Sequence, residues 1–399
     1  MNRPVVSVCS VAVAAIVSLG PCASAADDSP LPSTVAWFEW VHQIDDADAG
    51  EPSEPAVADG VVYYGDRRPA IVALDAATGG VLWETTSKRF GDSEETVGRF
   101  YPPCIGPERV FVGGESQLAA LSRSTGEVLW TQPLPAGCSQ RAIARLPTAL
   151  VVADYGGEVT GRDPATGQVL WTASLMDDVP PDPPGFDGEK ARFTGILARP
   201  RDARAVGSLC VIGVFDQSRV VAVETEGDDA GTIVWSYEAG GWVSVPLRVE
   251  GDSVYVASQG RRVAKLDAAT GQERWRAETT GWNTSQPVPA GSVVYAAIPK
   301  GRLLTLDAET GQAGQPFTLP SQPKYAIGPP IVTEETLIAL VGREIVSLDR
   351  ATGETGWSLA VGANEKPRGP LKQSAGRLIL RIGNYGDQKR HAVAAIGGD

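Results

Sequence analysis

The chain has 399 residues, 43% of them hydrophobic, enough to bury a sizeable core. Its 45 glycines and 30 prolines are spread along the length, which calls for many tight turns rather than one unstructured tail. A formal net charge of −13 would repel polyanions, so nucleic acid is excluded as a general partner.

The first segment does not read as part of a fold. Met1-Asn2-Arg3 is a short basic start, Val5 to Leu19 an apolar run, and Ala23-Ser24-Ala25 an A-x-A cleavage pattern. These predict a signal peptide over residues 1–25, a linker over 26–34 and an exported mature chain, periplasmic or secreted. "LGPC" at Leu19–Cys22 offers a second processing route, a lipid anchor on Cys22 with outer-membrane association, although Pro21 fits that motif poorly. The apolar run is short for a bilayer span, and no later segment reads as transmembrane. Loss of the leader removes Cys9 and Cys22. Cys104, Cys138 and Cys210 remain, an odd number that cannot all pair. They read as small buried hydrophobes, with a Cys104–Cys138 bridge left open.

From residue 73 onward a short phrase recurs. "ALDAATGGVLW" ends at Trp83, "ALSRSTGEVLW" at Trp130, "GRDPATGQVLW" at Trp171, "KLDAATGQERW" at Trp275 and "SLDRATGETGW" at Trp357. Two copies are worn: "GDDAGTIVW" keeps Gly231 and Trp235, and "TLDAETGQAGQPF" keeps Thr310-Gly311 with Phe317 in place of the tryptophan. The turn glycines Gly79, Gly126, Gly167, Gly231, Gly271, Gly311 and Gly353 are spaced by 47, 41, 64, 40, 40 and 42 residues. A period near 40 is that of a four-stranded propeller blade. One period, residues 242–277, divides into "WVSVPLRV", "DSVYVAS", "RVAKLD" and "QERWRAE", whose period-two alternation predicts half-buried strands. No segment sustains a helical period. A lone blade cannot cover both its faces, and stacking blades around an axis does. In each copy the glycine permits a left-handed turn, the Asp and Thr bond the local backbone, and the Trp supplies a flat apolar surface for the next blade.

The ends complete the count. "HAVAAIGGD" reads as a third strand lacking its fourth, and "VAWFEWVHQI" at 35–44 is a Trp-bearing strand that precedes any full blade. Pairing 35–44 with 391–396 makes an eighth blade, places Trp40 where Trp83 stands in its own, and removes an open edge. The expected fold is an all-β, eight-bladed β-propeller with four antiparallel strands per blade, one domain over residues 35–399.

The pattern A-x-D-x-x-T-G-x-x-x-W at Ala73, Asp75, Thr78, Gly79 and Trp83 resembles the tryptophan-docking motif of the PQQ-type, quinoprotein-like eight-bladed propellers. The resemblance covers residues 35–399 and implies one of two branches. Quinoprotein dehydrogenases set two adjacent cysteines over the quinone and hold Ca²⁺ with Glu, Asn and Asp. BamB-like outer-membrane assembly factors are not enzymes. This chain has no adjacent cysteine pair, and no such calcium set can be assigned. Asp75, Asp163, Asp267, Asp307 and Asp349 all fall in the repeated turns, and the two histidines, His42 and His391, in the closing strands. No phosphate loop, EF-hand run or Cys-x-x-Cys is present. The sequence therefore assigns no catalytic residue and no metal ligand. It points to a BamB-like binding platform without a cofactor; the alternative is a PQQ-dependent oxidoreductase carrying PQQ and Ca²⁺ on the channel axis.

Loops that enter the first strand of a blade share one face with those joining its second and third strands, while the "ATG" turns lie opposite. Residues entering the first strands should ring the channel mouth, and the expected binding set is Arg99, Tyr101, Arg141, Arg192, Trp242, Trp282, Asn283, Lys324, Tyr325 and Arg368. Converging cations suit carboxylates or phosphates, and aromatic faces suit rings or apolar side chains. The expected partner is a protein, or a small anionic or aromatic ligand. The Pro-rich insertion at 175–191 lies on the same side and reads as either a docking arm or a tolerated surface loop. "ETEGDDAG" at 224–231 reads as a lengthened turn on the opposite face.

Overall fold

Eight four-stranded antiparallel sheets stand in a ring. The structure is a computed structural model describing residues 31, 36–44, 52–66, 70–86, 102–114, 117–134, 142–154, 156–176, 200–319, 328–361, 365–384 and 391–398. Blades 1 to 7 comprise residues 56–86, 104–133, 142–174, 200–238, 248–278, 288–318 and 331–360; blade 8 joins 365–398 to 36–44. Within blades 1 to 7, strands pair in chain order. First strands touch from blade 1 through blade 5 and from blade 7 to blade 8, the clusters shared by blades 5 and 6 and by blades 6 and 7 continue the ring, and the first strand of blade 8, Glu365–Ser374, touches that of blade 1, Ala56–Ala58, so the circle is closed.

The core is divided among the blade boundaries. Eight clusters of buried apolar side chains each draw residues from two neighbouring blades. Alternation along a strand sends successive side chains to opposite neighbours. In blade 1, Val62, Tyr64, Val72 and Leu74 pack toward blade 8, while Tyr63, Ile71 and Ala73 pack toward blade 2. This corrects the half-buried reading of the middle strands. Leu209–Val214 is buried at every position, because the two directions of the alternation are two interfaces rather than core and solvent. Only outermost strands such as Val81–Thr86 alternate between buried and exposed.

A bulge and a turn join one blade to the next. Where third and fourth strands pair, the register slips beside the tryptophan, between Ala73 and Leu74 in blade 1 and between Ala120 and Leu121 in blade 2. The skipped residues, Leu82 and Leu129, face solvent, and the local bend carries the indole across the boundary. There it lies on the following blade's turn glycine: a Cβ on Gly126 would come within 2.6 Å of the Trp83 ring, and φ is +72°. Trp83 Nε1 donates to Arg123 O at 2.9 Å, as Trp130 does to Pro164 O at 3.1 Å and Trp275 to Ala308 O at 3.1 Å. The turn is held from within. Gly79 N–H donates to Asp75 O at 2.8 Å, and Asp75 Oδ1 accepts from the Ala77 and Thr78 amides and the Thr78 hydroxyl. Phe317 takes the tryptophan's place in blade 6, its ring 2.8 Å from the Cβ position of Gly353.

The seam repeats this arrangement with the chain's two ends. Ala36–Ile44 pairs antiparallel with His391–Gly398, Ile44 opposite His391, with a bulge between Phe38 and Trp40. Trp40 stands opposite Ala395, donates to Ala76 O at 3.0 Å and covers Gly79. Arg377, at the start of the strand Arg377–Asn384, pairs with Glu39 across the intervening His391–Gly398. The cysteine reading is corrected at one position: Cys104 is buried and disulfide-bonded, whereas Cys210 is a buried thiol. Cys138 and the leader at 1–25 lie outside the described residues.

Trp40→Ala should cost about 3 kcal/mol of stability, the range for losing a packed indole. Gly79→Ala should be nearly as costly in the wild type but much cheaper in the Trp40→Ala background, because the clash is with that ring. Urea titrations of the double-mutant cycle measure this coupling.

Acid should loosen the turns. The Thr78 hydroxyl holds the Asp75 carboxyl below its ordinary value, as Arg274 does for Asp267, Thr310 for Asp307 and the Thr352 amide for Asp349; Arg274 also brings Asp252 down to about 2. Depressed folded-state values mean that the unfolded chain binds more protons on the acid side, so stability should fall between about pH 4 and pH 2. Thermal melts across that window should show a shallower decline in Thr270→Val/Thr310→Val than in wild type.

Candidate functional site

Two successive connections on the mouth face are described in full, 239–247 between blades 4 and 5 and 279–287 between blades 5 and 6. Each carries a Gly-Trp pair at its crest. The indoles of Trp242 and Trp282 are 53% and 51% exposed, by far the most solvent-facing aromatic rings among the described residues.

Close backbone crossing sets Trp242. Residues 240–241 pass over the second-to-third-strand turn of blade 5, where a Cβ on Gly260 would lie 2.0 Å from Gly240 O and one on Gly241 2.3 Å from Gly260 N. Only glycine fits both sides of that crossing. Gln259 N–H then donates to Trp242 O at 2.9 Å, and Gln259 Nε2 to Ser244 Oγ at 3.1 Å. The Trp242 ring leans on Phe215 of blade 4, with centroids 5.1 Å apart. Sequence reading missed Phe215, because its partnership depends on two turns of different blades meeting.

Asn283 holds the neighbouring loop. It is 3% exposed, and Nδ2 donates to Ser258 O at 3.0 Å and Arg262 O at 2.9 Å. That ties the loop bearing Trp282 to the blade behind it. Thr279 Oγ1 donates to Gly281 O at 2.7 Å, and Thr284 N–H to Ala297 O at 2.9 Å. Asn283 thus works as a strut beneath an exposed ring.

Arg99, Tyr101, Arg141, Arg192, Lys324 and Tyr325 lie outside the described residues, as does the insertion from 177 onward. Leu175, at its start, is buried, and its carbonyl accepts from the buried Arg219 at 2.8 Å. Arg368 lies on the first strand of blade 8, directly opposite Arg381. Register therefore brings together two arginines that sequence analysis had not associated. Arg381 Nη1 donates to Pro52 O at 2.6 Å.

The turn aspartates are spent on local hydrogen bonds, and among the described residues no three His, Cys, Asp or Glu side chains are grouped so as to hold a metal ion. No helix of the described residues is long and apolar enough to cross a membrane.

Ring, blade count and repeated turn define an eight-bladed propeller of the PQQ type. The chain belongs to the family described as outer membrane protein assembly factor BamB, whose profile matches residues 35–227 and again 216–398. Among solved structures, BamB from Moraxella catarrhalis superposes with a TM-score of 0.66 at 16% identity, over 90% of this chain and 97% of that one. Quinohemoprotein alcohol dehydrogenase from Comamonas testosteroni gives 0.64 at 16% identity, over 91% and 77%. The computationally designed protein Ika8 gives 0.63 at 14%, over 90% and 98%. At such identities the likeness is one of fold alone. By sequence, the chain is 27% identical over 168 residues to lupanine 17-hydroxylase [cytochrome c] of a Pseudomonas species, which is 37% of this chain and 23% of that protein. It is 27% identical over 154 residues to a quinoprotein ethanol dehydrogenase of Pseudomonas aeruginosa, 33% of this chain and 24% of the relative. The matched region thus spans about a quarter of the curated relatives' length.

Asn283→Ala should lower stability by about 1–3 kcal/mol, since two buried carbonyls lose their donor. Asn283→Asp should cost more, because a carboxylate would face the same two oxygens. Thermal melts at pH 7 compare the two.

Proposed function

We propose that this protein is an exported, non-catalytic propeller that serves as a BamB-like binding platform, with a protein partner seated on the mouth face. The paired indoles carry this reading. Trp242 and Trp282 are half exposed, one blade apart, and each is fixed from below by hydrogen-bonded backbone. Rigid, exposed aromatic rings lose little entropy when covered and are the commonest anchors of protein interfaces. The arginines and lysine expected around the same mouth, Arg99, Arg141, Arg192, Lys324 and Arg368, would add carboxylate-binding capacity to that surface. Export through the leader at 1–25 fits an envelope role, and lipidation at Cys22 would place the platform at the outer membrane. The test is recovery of partners from the host's envelope with wild-type and Trp242→Ala/Trp282→Ala protein. At least a tenfold loss of a recovered protein, at unchanged melting temperature, is expected; equal recovery overturns the reading.

The similarity to quinoprotein dehydrogenases favours a second reading, an oxidoreductase using PQQ and Ca²⁺. PQQ would supply two-electron oxidation of an alcohol. The residues in hand do not fit it well: the chain has no adjacent cysteines, and among the described residues no three His, Cys, Asp or Glu side chains are grouped so as to hold a metal ion. Purified protein mixed with PQQ and Ca²⁺ should show neither a bound-quinone spectrum nor dye-linked alcohol oxidation. Both signals together would establish the enzyme.

A further inference from the structure

The boundary between blades 2 and 3 carries charge where other blades place aliphatic side chains. In each of blades 1 to 7, one residue from each of the first three strands lines up beside the turn face. In blade 1 these are Val57, Val62 and Leu74, and in blade 5 Val249, Val254 and Leu266. They pack toward the preceding blade. Blade 3 has Arg145, Leu150 and Arg162 in this row. Leu150 shares a buried cluster with Phe111 of blade 2. The two arginines directly opposite it on either side therefore face blade 2 as well. Blade 2 contributes a third. Arg109 stands two residues before Phe111 on the strand Arg109–Gly113, so its side chain shares that face and is directed at blade 3. Arg162 directly precedes Asp163, which places the cluster on the face opposite the mouth.

These cations lack matching carboxylates. Arg162 is 7% exposed. Its Nε donates to the Thr160 hydroxyl and its Nη1 to Gly167 O, each at 3.1 Å, and both acceptors are uncharged. Arg145 Nη2 donates to Pro147 O at 3.0 Å, again an uncharged acceptor. Arg109 Nε is buried and has no acceptor among the described residues. Its one carboxylate neighbour there is Glu108, 3.9 Å away and largely in solvent. Glu158 lies at the far end of the strand that bears Arg162. Burial pushes the Arg145 and Arg162 guanidiniums down, and Arg109 adds like-charge repulsion to Arg145. A buried cation without a counter-charge destabilises the fold until something supplies one. Three guanidiniums beside one solvated carboxylate call for a dianion.

We propose that Arg109, Arg145 and Arg162 bind a tetrahedral oxyanion between blades 2 and 3, the chemistry shared by free phosphate and a phosphate monoester. Guanidinium forks match such oxygens in geometry as well as charge. The site goes beyond the mouth-face reading and stands or falls without it. A net charge of −13 opposes extended polyanions, whereas a single anion is governed by the cations within a Debye length. Isothermal titration of the full chain with inorganic phosphate, methyl phosphate and acetate, at equal ionic strength, separates the sources. Binding of phosphate alone assigns the site to the free ion, and binding of methyl phosphate assigns it to a monoester. Acetate should bind about tenfold more weakly than phosphate, since it offers fewer oxygens and half the charge. Arg162→Leu installs the residue that blade 1 carries there and should weaken phosphate binding about tenfold. Without phosphate that variant should melt higher than wild type, because a buried unpaired charge is gone. Added phosphate should raise the melting temperature of wild type and leave that of Arg162→Leu unchanged. Arg109→Val, matching Val61 of blade 1, should weaken binding by a similar factor and serves where Arg162→Leu does not fold. Failure of both phosphates to bind, equal affinity for acetate, or unchanged phosphate affinity in the arginine variants overturns the proposal.

Discussion

The stacking of an indole on the turn glycine of the following blade is the contact from which the rest follows. Each blade is apolar on both faces, so no blade is complete without two neighbours. The indole supplies area and direction together. Its ring covers a turn whose glycine has no side chain to displace it, and its N–H accounts for a carbonyl that the turn would otherwise leave without a donor. The bulge beside each tryptophan aims the ring, and its by-product is a row of aliphatic residues in solvent, Leu82, Leu129, Leu170 and Val234. At the seam Trp40 makes the same contact with Gly79, and the strand that bears it pairs with His391–Gly398 from the far end of the chain.

A closed ring of this kind is a frame, and its chemistry is confined to its two faces. A designed protein and a quinohemoprotein dehydrogenase share the frame at similar TM-scores, so the frame selects no activity. On the mouth face, rigidity reaches the surface through a glycine crossing at 241 and 260 and a buried amide at Asn283. Those features lift two indoles into solvent without letting them move freely. On the turn face, repetition leaves little room for anything except carboxylates bonded to their own backbone.

Departures from the repeat therefore carry information. Phe317 for tryptophan is a mild one, since the ring still covers Gly353. The boundary between blades 3 and 4 is different, because Gly161, the lengthened turn at 224–231 and the orphaned N–H of Trp171 coincide. Consistency elsewhere in the ring makes that coincidence, and the arginines between blades 2 and 3, conspicuous.

The blade count, the strand order and the seam were legible in the sequence, because one turn chemistry recurs at a fixed period and the missing fourth strand of the last copy matches the surplus strand at the start. Phe317 could be read as a substitute for the same reason. Burial of both faces of the middle strands was not legible, since alternation alone cannot tell solvent from a second neighbour. The cysteine bridge at Cys104, the strut role of Asn283, the Phe215–Trp242 pair and the opposition of Arg368 and Arg381 each depend on register or on two distant turns meeting. The sequence by itself determined the unit and the number of its copies, because local turn geometry needs only neighbouring residues. Which rings reach solvent, which amide is buried and which charges face one another across a blade boundary were decided by the packing of separate blades, which no single repeat encodes.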